Sequence, residues 1–365
     1  MKCSSCDKEF VYPFQKCPHC GANLKTKAGG ELKVIGVTEV MIPSIGNEQV
    51  PYFVLLLAGK DGKKEFVKNS KPYKVGDLFS KKSVPKMRLK IGVVGTGTMG
   101  LGIAALALSH GFEVTMKSRS EKSLQNGKVQ MEDILTKYYL KRIEDFEKNL
   151  TLTTSYTDLS GLDLIIESVS EDLEIKREIF RKLDAICPPS TVLATNTSAL
   201  SINSLTTVTK NPSRVIGIHF FNPIHRMKLV EIISGAKTDK RSRECAVYFA
   251  IEVDKQPIVV KDSPGFIVNR LAIPFINEAV RLFENGISNP RDIDIAVKNG
   301  LNHPMGPFEL ADLIGIDVVV AILHELHQRT GDAALAPCAM LLKMNSEGKL
   351  GRKSGQGFYS YSKNG

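Results

Sequence analysis

The stretch KIGVVGTGTMGLGIA, residues 90–104, restricts the fold more than any other part of the chain. Ile91 to Val94 read as a short buried strand, and Gly95, Gly97 and Gly100 then open an Ala/Leu-rich helix expected to run to about His110. Strand, tight turn and helix, with G-x-G-x-x-G at the turn, predict a dinucleotide-binding unit. The first two glycines permit the turn and a close backbone approach to a pyrophosphate, and the third permits tight helix packing. Unpaired N–H groups of the first helical turn, which holds Thr98 and Met99, face the anion.

Strand and helix signals alternate beyond this unit. A second strand is expected at Glu113 to Lys117, a long charged helical excursion from about Ser120 to Glu147, a strand at Asp163 to Glu167, a helix from about Glu171 to Ile186, and strands near Val192 and Val215. That order predicts an α/β domain of the Rossmann type, a doubly wound parallel sheet, over residues 85–261. After Asp262-Ser263-Pro264-Gly265 the apolar residues take helical spacing in FIVNRLAIPFINEAVRLF and ELADLIGIDVVVAILHEL, so residues 262–365 are expected to form a separate all-α domain. Its apolar faces exceed the needs of one layer, which suggests a homodimer through these helices; an internal helical core is the simpler alternative.

The N-terminus is of a different kind. Of seven cysteines, Cys3, Cys6, Cys17 and Cys20 form two C-x-x-C pairs ten residues apart. Four thiolates at this spacing suit a structural zinc ion, and so short a segment needs the metal to fold, so residues 1–30 are expected to be a zinc ribbon; redox thiols are the weaker alternative. His19, inside the second pair, is surplus to a complete four-sulfur shell. The runs LKVIGVTEVM, VPYFVLLLAG and KEFVKNS then predict a small β-barrel over residues 31–84, with KKSVPKMRLK as the boundary linker. Residues 1–87 carry fifteen lysines and eight acids, so +7 of the whole chain's +10 lies here. Such a surface meets nucleic acid, an acidic protein or the phosphates of an acyl carrier, unless it is simply solvated. No segment offers the ~20 apolar residues of a membrane span, and the start has no signal-peptide core, which points to the cytoplasm.

Chemistry is suggested by HFFNP, His219 to Pro223. Oxidising a secondary alcohol removes a proton while hydride leaves the same carbon, which calls for a base near neutrality; histidine is the natural choice, with a carboxylate on its other nitrogen. His219, at the end of an expected strand, and Glu231, on the next, are the candidate pair. On pattern alone an ordinary hydrogen-bonded loop histidine remains open. His225, His303, His324 and His327 have no metal partner at suitable spacing, which argues against catalytic zinc.

Residues Leu89 to Tyr361 resemble the L-3-hydroxyacyl-CoA dehydrogenase family throughout, in GTGTMGLGIA, IIESVSEDLEIK, ATNTSALSI, IHFFNPIHRMKLVEII, DSPGFIVNRL, HPMGPFELADLIGIDV and GRKSGQGFYSY. By length the chain is most similar to the compact 3-hydroxybutyryl-CoA dehydrogenases, which are dimers. The resemblance implies His219 as general acid/base oriented by Glu231, Ser198 at the substrate's 3-oxygen, Asn222 positioning the thioester, and Asn269 completing the pocket from the helical domain. It also sets Glu171 and Lys176 near the cofactor, although charges on a helix surface would read the same way, as would helix caps for Ser198 and Asn222 and an exposed helix face for Asn269. The N-terminal module resembles the rubredoxin-like ribbon and OB-fold proteins that accompany thiolases, implying an acyl-CoA enzyme such as a thiolase or hydratase as partner.

At the end of the second strand, where NAD-dependent members carry an acid for the adenosine ribose, stands Ser118, followed by Arg119, Ser120 and Lys122. Hydroxyls and positive charge there favour the 2′-phosphate of NADP over NAD. The expected activity is interconversion of 3-hydroxybutyryl-CoA and acetoacetyl-CoA. Two alternatives stand beside it: a dehydrogenase of a free hydroxy acid such as L-gulonate, and a nucleic-acid-binding or scaffold protein with a vestigial dehydrogenase, which intact Ser198, His219, Asn222, Glu231 and Asn269 argue against.

Overall fold

The computed structural model describes residues 6, 8, 10, 17, 18, 31–40, 52–58, 64–69, 74–80 and 89–361. The proposed ligands Cys3 and Cys20, and residues 81–88 of the expected linker, lie outside this set. Two compact units divide the chain, residues 1–87 and 88–365.

In the first unit, β1 (Glu31–Val40), β2 (Tyr52–Ala58), β3 (Lys64–Asn69) and β4 (Leu78–Ser80) form an antiparallel sheet in the order β3-β2-β1-β4. The three apolar runs are strands, as expected, and a short fourth joins them. A register shift between Val34 and Gly36 bends β1. Among the described residues the sheet is open, and the closure of the expected barrel lies outside them.

The second unit runs β5 (Lys90–Val94), α1 (Thr98–Ser109), β6 (Glu113–Lys117), α2 (Glu121–Tyr139), β7 (Leu150–Thr153), β8 (Leu164–Glu167), α3 (Leu173–Ile186), β9 (Val192–Thr195), α4 (Ile202–Thr206), β10 (Val215–Phe220), β11 (Leu229–Ser234), α5 (Lys240–Glu252) and β12 (Gln256–Lys261). Helices α6 (Val268–Glu284), α7 (Pro290–Gly300), α8 (Pro307–Ile314), α9 (Ile316–Thr330) and α10 (Ala339–Ser346) follow. The sheet order is β12-β11-β10-β9-β8-β5-β6-β7. It reverses between β5 and β8, so a crevice opens above their carboxyl ends, the position at which doubly wound sheets bind ligands.

The expected all-parallel sheet is corrected at one edge. β11 runs antiparallel to β10, and β12 parallel to β11. Only the eight residues 221–228 join β10 to β11, too few for the crossover that a parallel pair requires. The charged excursion is also shorter than expected: Leu140 turns left-handed (φ 53°) and ends α2, and β7 follows two short 3-10 turns. The run ELADLIGIDVVVAILHEL is two helices, broken at Gly315 (φ 105°).

Two apolar clusters hold these layers. One joins Ile165, Leu193, Val215 and Ile233 of the sheet to Ile179, Phe180 and Leu183 of α3. The other collects Ile273, Ile276 and Val280 of α6, Phe308 of α8, and Val319, Leu323 and Leu326 of α9. Among the described residues no helix is long and apolar enough to cross a membrane.

Candidate active site

The three glycines of the turn do three different things. Gly95 (φ 118°) takes a backbone conformation that side chains disfavour, and a Cβ there would fall 2.4 Å from the Ser168 carbonyl oxygen, because the loops after β5 and β8 pass each other at the order reversal. A Cβ on Gly100 would fall 2.1 Å from the Gly95 carbonyl oxygen. Around Gly97 there is open space, with nothing within 4 Å of an added Cβ. It lies at the start of α1, whose first turn has no side-chain cap and no acidic residue. Free N–H groups, a positive helix end and a cradle at Gly97, with Thr98 and Met99 in the first turn, fit a pyrophosphate.

Ser118 follows β6, is buried, and sets its hydroxyl 3.2 Å from that of Thr96. Arg119 is exposed beside it. The hydroxyl of Ser120 is occupied as the N-cap of α2, accepting from the Ser123 N–H.

His219 and Glu231 sit directly opposite each other on β10 and β11, so their side chains share one face of the sheet. His219 Nδ1 lies 2.7 Å from Glu231 Oε2. The other oxygen, Oε1, accepts the N–H groups of Ile267 (3.0 Å) and Val268 (3.1 Å), at the N-terminus of α6. Burial alone would raise the Glu231 pKa, but the hydrogen bonds from His219, Val268 and Ile267 outweigh it and hold the carboxyl below the usual glutamate range. An ionised Glu231 requires a proton on Nδ1 and leaves Nε2 as the nitrogen for substrate. The rings of Phe221 and Phe266 flank the imidazole at 4.4 and 5.9 Å between centroids.

Ser198 lies in the loop after β9 and is not a helix cap; Ser201 precedes α4. Glu171 grips this loop, its Oε1 accepting from the Thr197 hydroxyl and the N–H groups of Ser198 (2.8 Å) and Ala199 (3.2 Å). Asn269, on the first turn of α6, donates through Nδ2 to the Ser198 carbonyl oxygen at 2.9 Å, so its amide is engaged by the loop and is not a free helix face. Asn222 is exposed just beyond β10 and caps nothing. Lys176 is fully buried, not a surface charge: Nζ contacts both oxygens of buried Glu167 (2.9 and 3.0 Å) and lies 3.5 Å from Glu171 Oε2. It acts through Glu171 and has no exposed surface of its own to offer a cofactor.

Several site residues were missed in the sequence. Glu167 also accepts from the Thr195 hydroxyl (2.7 Å) and the Val169 N–H (2.7 Å). Asn196 accepts from the Phe220 N–H (3.0 Å), tying the end of β9 to that of β10. Arg329 of α9 donates to the Ala199 carbonyl oxygen at 3.1 Å. A helical stripe was the available signal for Lys176, which shares the buried face of α3 with Ile179, Phe180 and Leu183; nothing in the sequence points to Arg329. At the N-terminus, Cys6 and Cys17 bring their sulfurs to 3.5 Å, and among the described residues no group of three or more metal-ligating side chains occurs.

Two family models match the chain: 3-hydroxyacyl-CoA dehydrogenase, NAD binding domain, over residues 90–263, and the C-terminal domain of the same family over residues 265–361. The chain is 43% identical over 281 residues to the 3-hydroxybutyryl-CoA dehydrogenase of Clostridioides difficile, covering 75% of this chain and all of that protein. It is 37% identical over 311 residues to the human mitochondrial hydroxyacyl-coenzyme A dehydrogenase, covering 82% of this chain and 98% of the relative. Among solved structures, (S)-3-hydroxybutyryl-CoA dehydrogenase from Ralstonia eutropha matches with a TM-score of 0.72 at 38% identity, over 76% of this chain and the whole of that one. A buried His–Glu pair and a glycine turn on one sheet, with the sheet and helical domain matched along their length, make the chain an oxidoreductase that belongs to the 3-hydroxyacyl-CoA dehydrogenase family.

Proposed function

We propose that the protein interconverts L-3-hydroxybutyryl-CoA and acetoacetyl-CoA using NADP(H). The observation that carries the reading is the buried His219–Glu231 pair at the carboxyl end of β10. When bound, the nicotinamide supplies the hydride acceptor. In the oxidative direction His219 Nε2 takes the hydroxyl proton as hydride leaves C3, and Glu231 stabilises the imidazolium without taking the proton itself. Ser198 holds the 3-oxygen beside His219, Asn222 orients the thioester, and Asn269 keeps the Ser198 loop in register through its carbonyl.

NADP is favoured over NAD by the absence of a carboxylate at Ser118 and by exposed Arg119, which offers a guanidinium to a 2′-phosphate. The N-terminal unit holds one zinc ion through Cys3, Cys6, Cys17 and Cys20 and docks an acyl-CoA enzyme such as a thiolase or hydratase. The 3.5 Å approach of Cys6 and Cys17 supports a shared ion, since tetrahedral Zn–S bonds of about 2.3 Å set sulfurs roughly 3.8 Å apart. Exposed Leu271, Ile287 and Leu301 favour a homodimer through the helical domain. The protein acts in the cytoplasm.

A cofactor-by-substrate matrix tests this reading: NADH and NADPH, each against acetoacetyl-CoA, longer 3-oxoacyl-CoA esters and, in the oxidative direction with both oxidised cofactors, L-gulonate. NADPH with the short CoA ester should give the highest kcat/KM. Higher activity on the free acid, or binding of single-stranded nucleic acid in place of CoA esters, would replace it.

A further inference from the structure

The loop that follows β9 is held from two sides. Its N–H groups are engaged by Glu171 and by the loop itself: Ser198 and Ala199 donate to Glu171 Oε1 (2.8 and 3.2 Å), and Leu200 donates to the Thr197 hydroxyl (2.9 Å). Its carbonyls are engaged by the helical domain. Asn269 of α6 donates to that of Ser198 (2.9 Å), and Arg329 of α9 to that of Ala199 (3.1 Å). Ala199 is also buried in the apolar cluster of the helical domain. Both peptide units after Ser198 thus have donor and acceptor occupied, so the backbone that aims the Ser198 side chain is fixed by the two domains together.

Arg329 reaches beyond the loop. Its Nη2 lies 3.5 Å from Oδ1 of Asp262, the first residue after β12 and the start of the connection to the helical domain. The Asp262 side chain is 2% exposed, and its Oδ2 accepts from the Ser201 hydroxyl (2.6 Å) and the Asn203 N–H (2.9 Å), at the far end of the same loop. Oδ1 accepts no hydrogen bond among the described residues, so Arg329 supplies the positive charge that a buried carboxylate needs. Glu325, one turn earlier on α9, lies 3.8 Å from Nη1 and steadies the guanidinium. One planar group therefore spans a loop carbonyl and the carboxylate at the domain boundary, which suits the fixed fork of arginine better than the single ammonium of lysine.

We propose that Arg329 is a positioning residue of the reaction: through the Ala199 carbonyl it sets the place of Ser198, so that the seating of the helical domain on the hinge at Asp262 decides where the substrate's 3-oxygen is held beside His219. The inference rests on the reading that Ser198 holds that oxygen. Arg329 acts only through the loop. A small displacement of the loop lengthens the path of the proton to His219 Nε2 and turns C3 away from the hydride acceptor, and chemistry slows while the dinucleotide turn at Gly97 is untouched.

The test measures the single-turnover rate constant of hydride transfer to acetoacetyl-CoA on the full-length enzyme, with the reduced cofactor that the wild type prefers. That rate constant does not depend on how much of the protein is folded, so a merely structural role leaves it unmoved. Arg329→Gln should lower it by about ten- to a hundredfold, the scale on which misplaced reactants lose rate, with cofactor affinity little changed. Arg329→Lys, which keeps the charge beside Asp262 and lacks the fork, should lose less. In a Ser198→Ala background the further change Arg329→Gln should cost less than about twofold, because the group it positions is gone. Where Arg329→Gln does not fold, Arg329→Lys alone and with Ser198→Ala carries the same comparison. An unchanged rate constant in the Arg329 variants, or an equal loss with Ser198 present and absent, overturns the inference and leaves the dehydrogenase reading standing. A normal rate constant in Ser198→Ala by itself removes the Ser198 reading, and the inference falls with it.

Discussion

Glu231 has no solvent contact and three hydrogen-bond donors on two oxygens, so it serves at once as the orienting partner of His219 and as the cap of α6. His219→Ala and Glu231→Gln should each lower kcat by ~10²- to 10⁴-fold, the usual worth of a general base, while cofactor affinity measured by fluorescence titration changes little. Because its folded pKa lies below the ordinary glutamate value of about 4.3, the ionised carboxylate contributes stability above that pH and loses it as pH falls through the folded value. Melting temperatures from pH 7 downward should therefore drop more steeply for the wild type than for Glu231→Gln; parallel curves would remove this role. The cofactor preference proposed for Ser118 and Arg119 is tested at the same scale. Ser118→Asp with Arg119→Gln should move the NADPH:NADH preference toward NADH by about ten- to a hundredfold, the worth of one charge-assisted contact, and a wild type that prefers NADH would refute the assignment.

At the scale of elements, glycines that look alike in the motif separate by what surrounds them. Gly100→Ala would place a Cβ 2.1 Å from the Gly95 carbonyl oxygen, displacing α1 from the turn and costing ~1 to 3 kcal/mol of stability. Gly97→Ala meets open space in the protein alone. It should melt like the wild type and lose cofactor affinity instead, because the added methyl occupies the pyrophosphate cradle. Thermal melts beside dinucleotide titrations distinguish the two, and equal melting losses would mean that the cradle is misplaced. The same logic explains α3: its apolar stripe was visible at helical spacing, yet Lys176 on that stripe reads as surface until Glu167 is found beneath it. A buried lysine is tolerated where carboxylates meet it, and only tertiary packing supplies them.

For the whole molecule, the family match begins at residue 90, and the Clostridioides difficile relative is covered along its entire length. A truncation starting near Pro85 should thus keep hydride transfer, and loss of activity in a folded truncation would show that the N-terminal unit takes part in the chemistry. Metal analysis of the full chain should find one zinc ion per chain, removed with the N-terminal unit. Leu271, with much of its surface exposed on α6, belongs to the face expected to pair two copies. Leu271→Glu should convert a dimer to a monomer in sedimentation experiments, and a monomeric wild type would discard the interface.

Local patterns made much of this legible. The strand, glycine turn and helix at 90–110, the boundaries of β6 and the onset of the helical domain depend on periodicity and backbone sterics, which act between near neighbours and are written in consecutive residues. His219 and Glu231 could be named as a pair from residue chemistry and the family resemblance, a histidine at the end of one expected strand and a carboxylate on the next. Tertiary structure alone decided their direct opposition, the sharing of Glu231 with α6, the grip of Glu171 on the Ser198 loop and the reach of Arg329 to Ala199. Those contacts join residues far apart in the chain, and hydrogen bonds of that kind depend on where packing sets the elements, a quantity that no local spacing encodes.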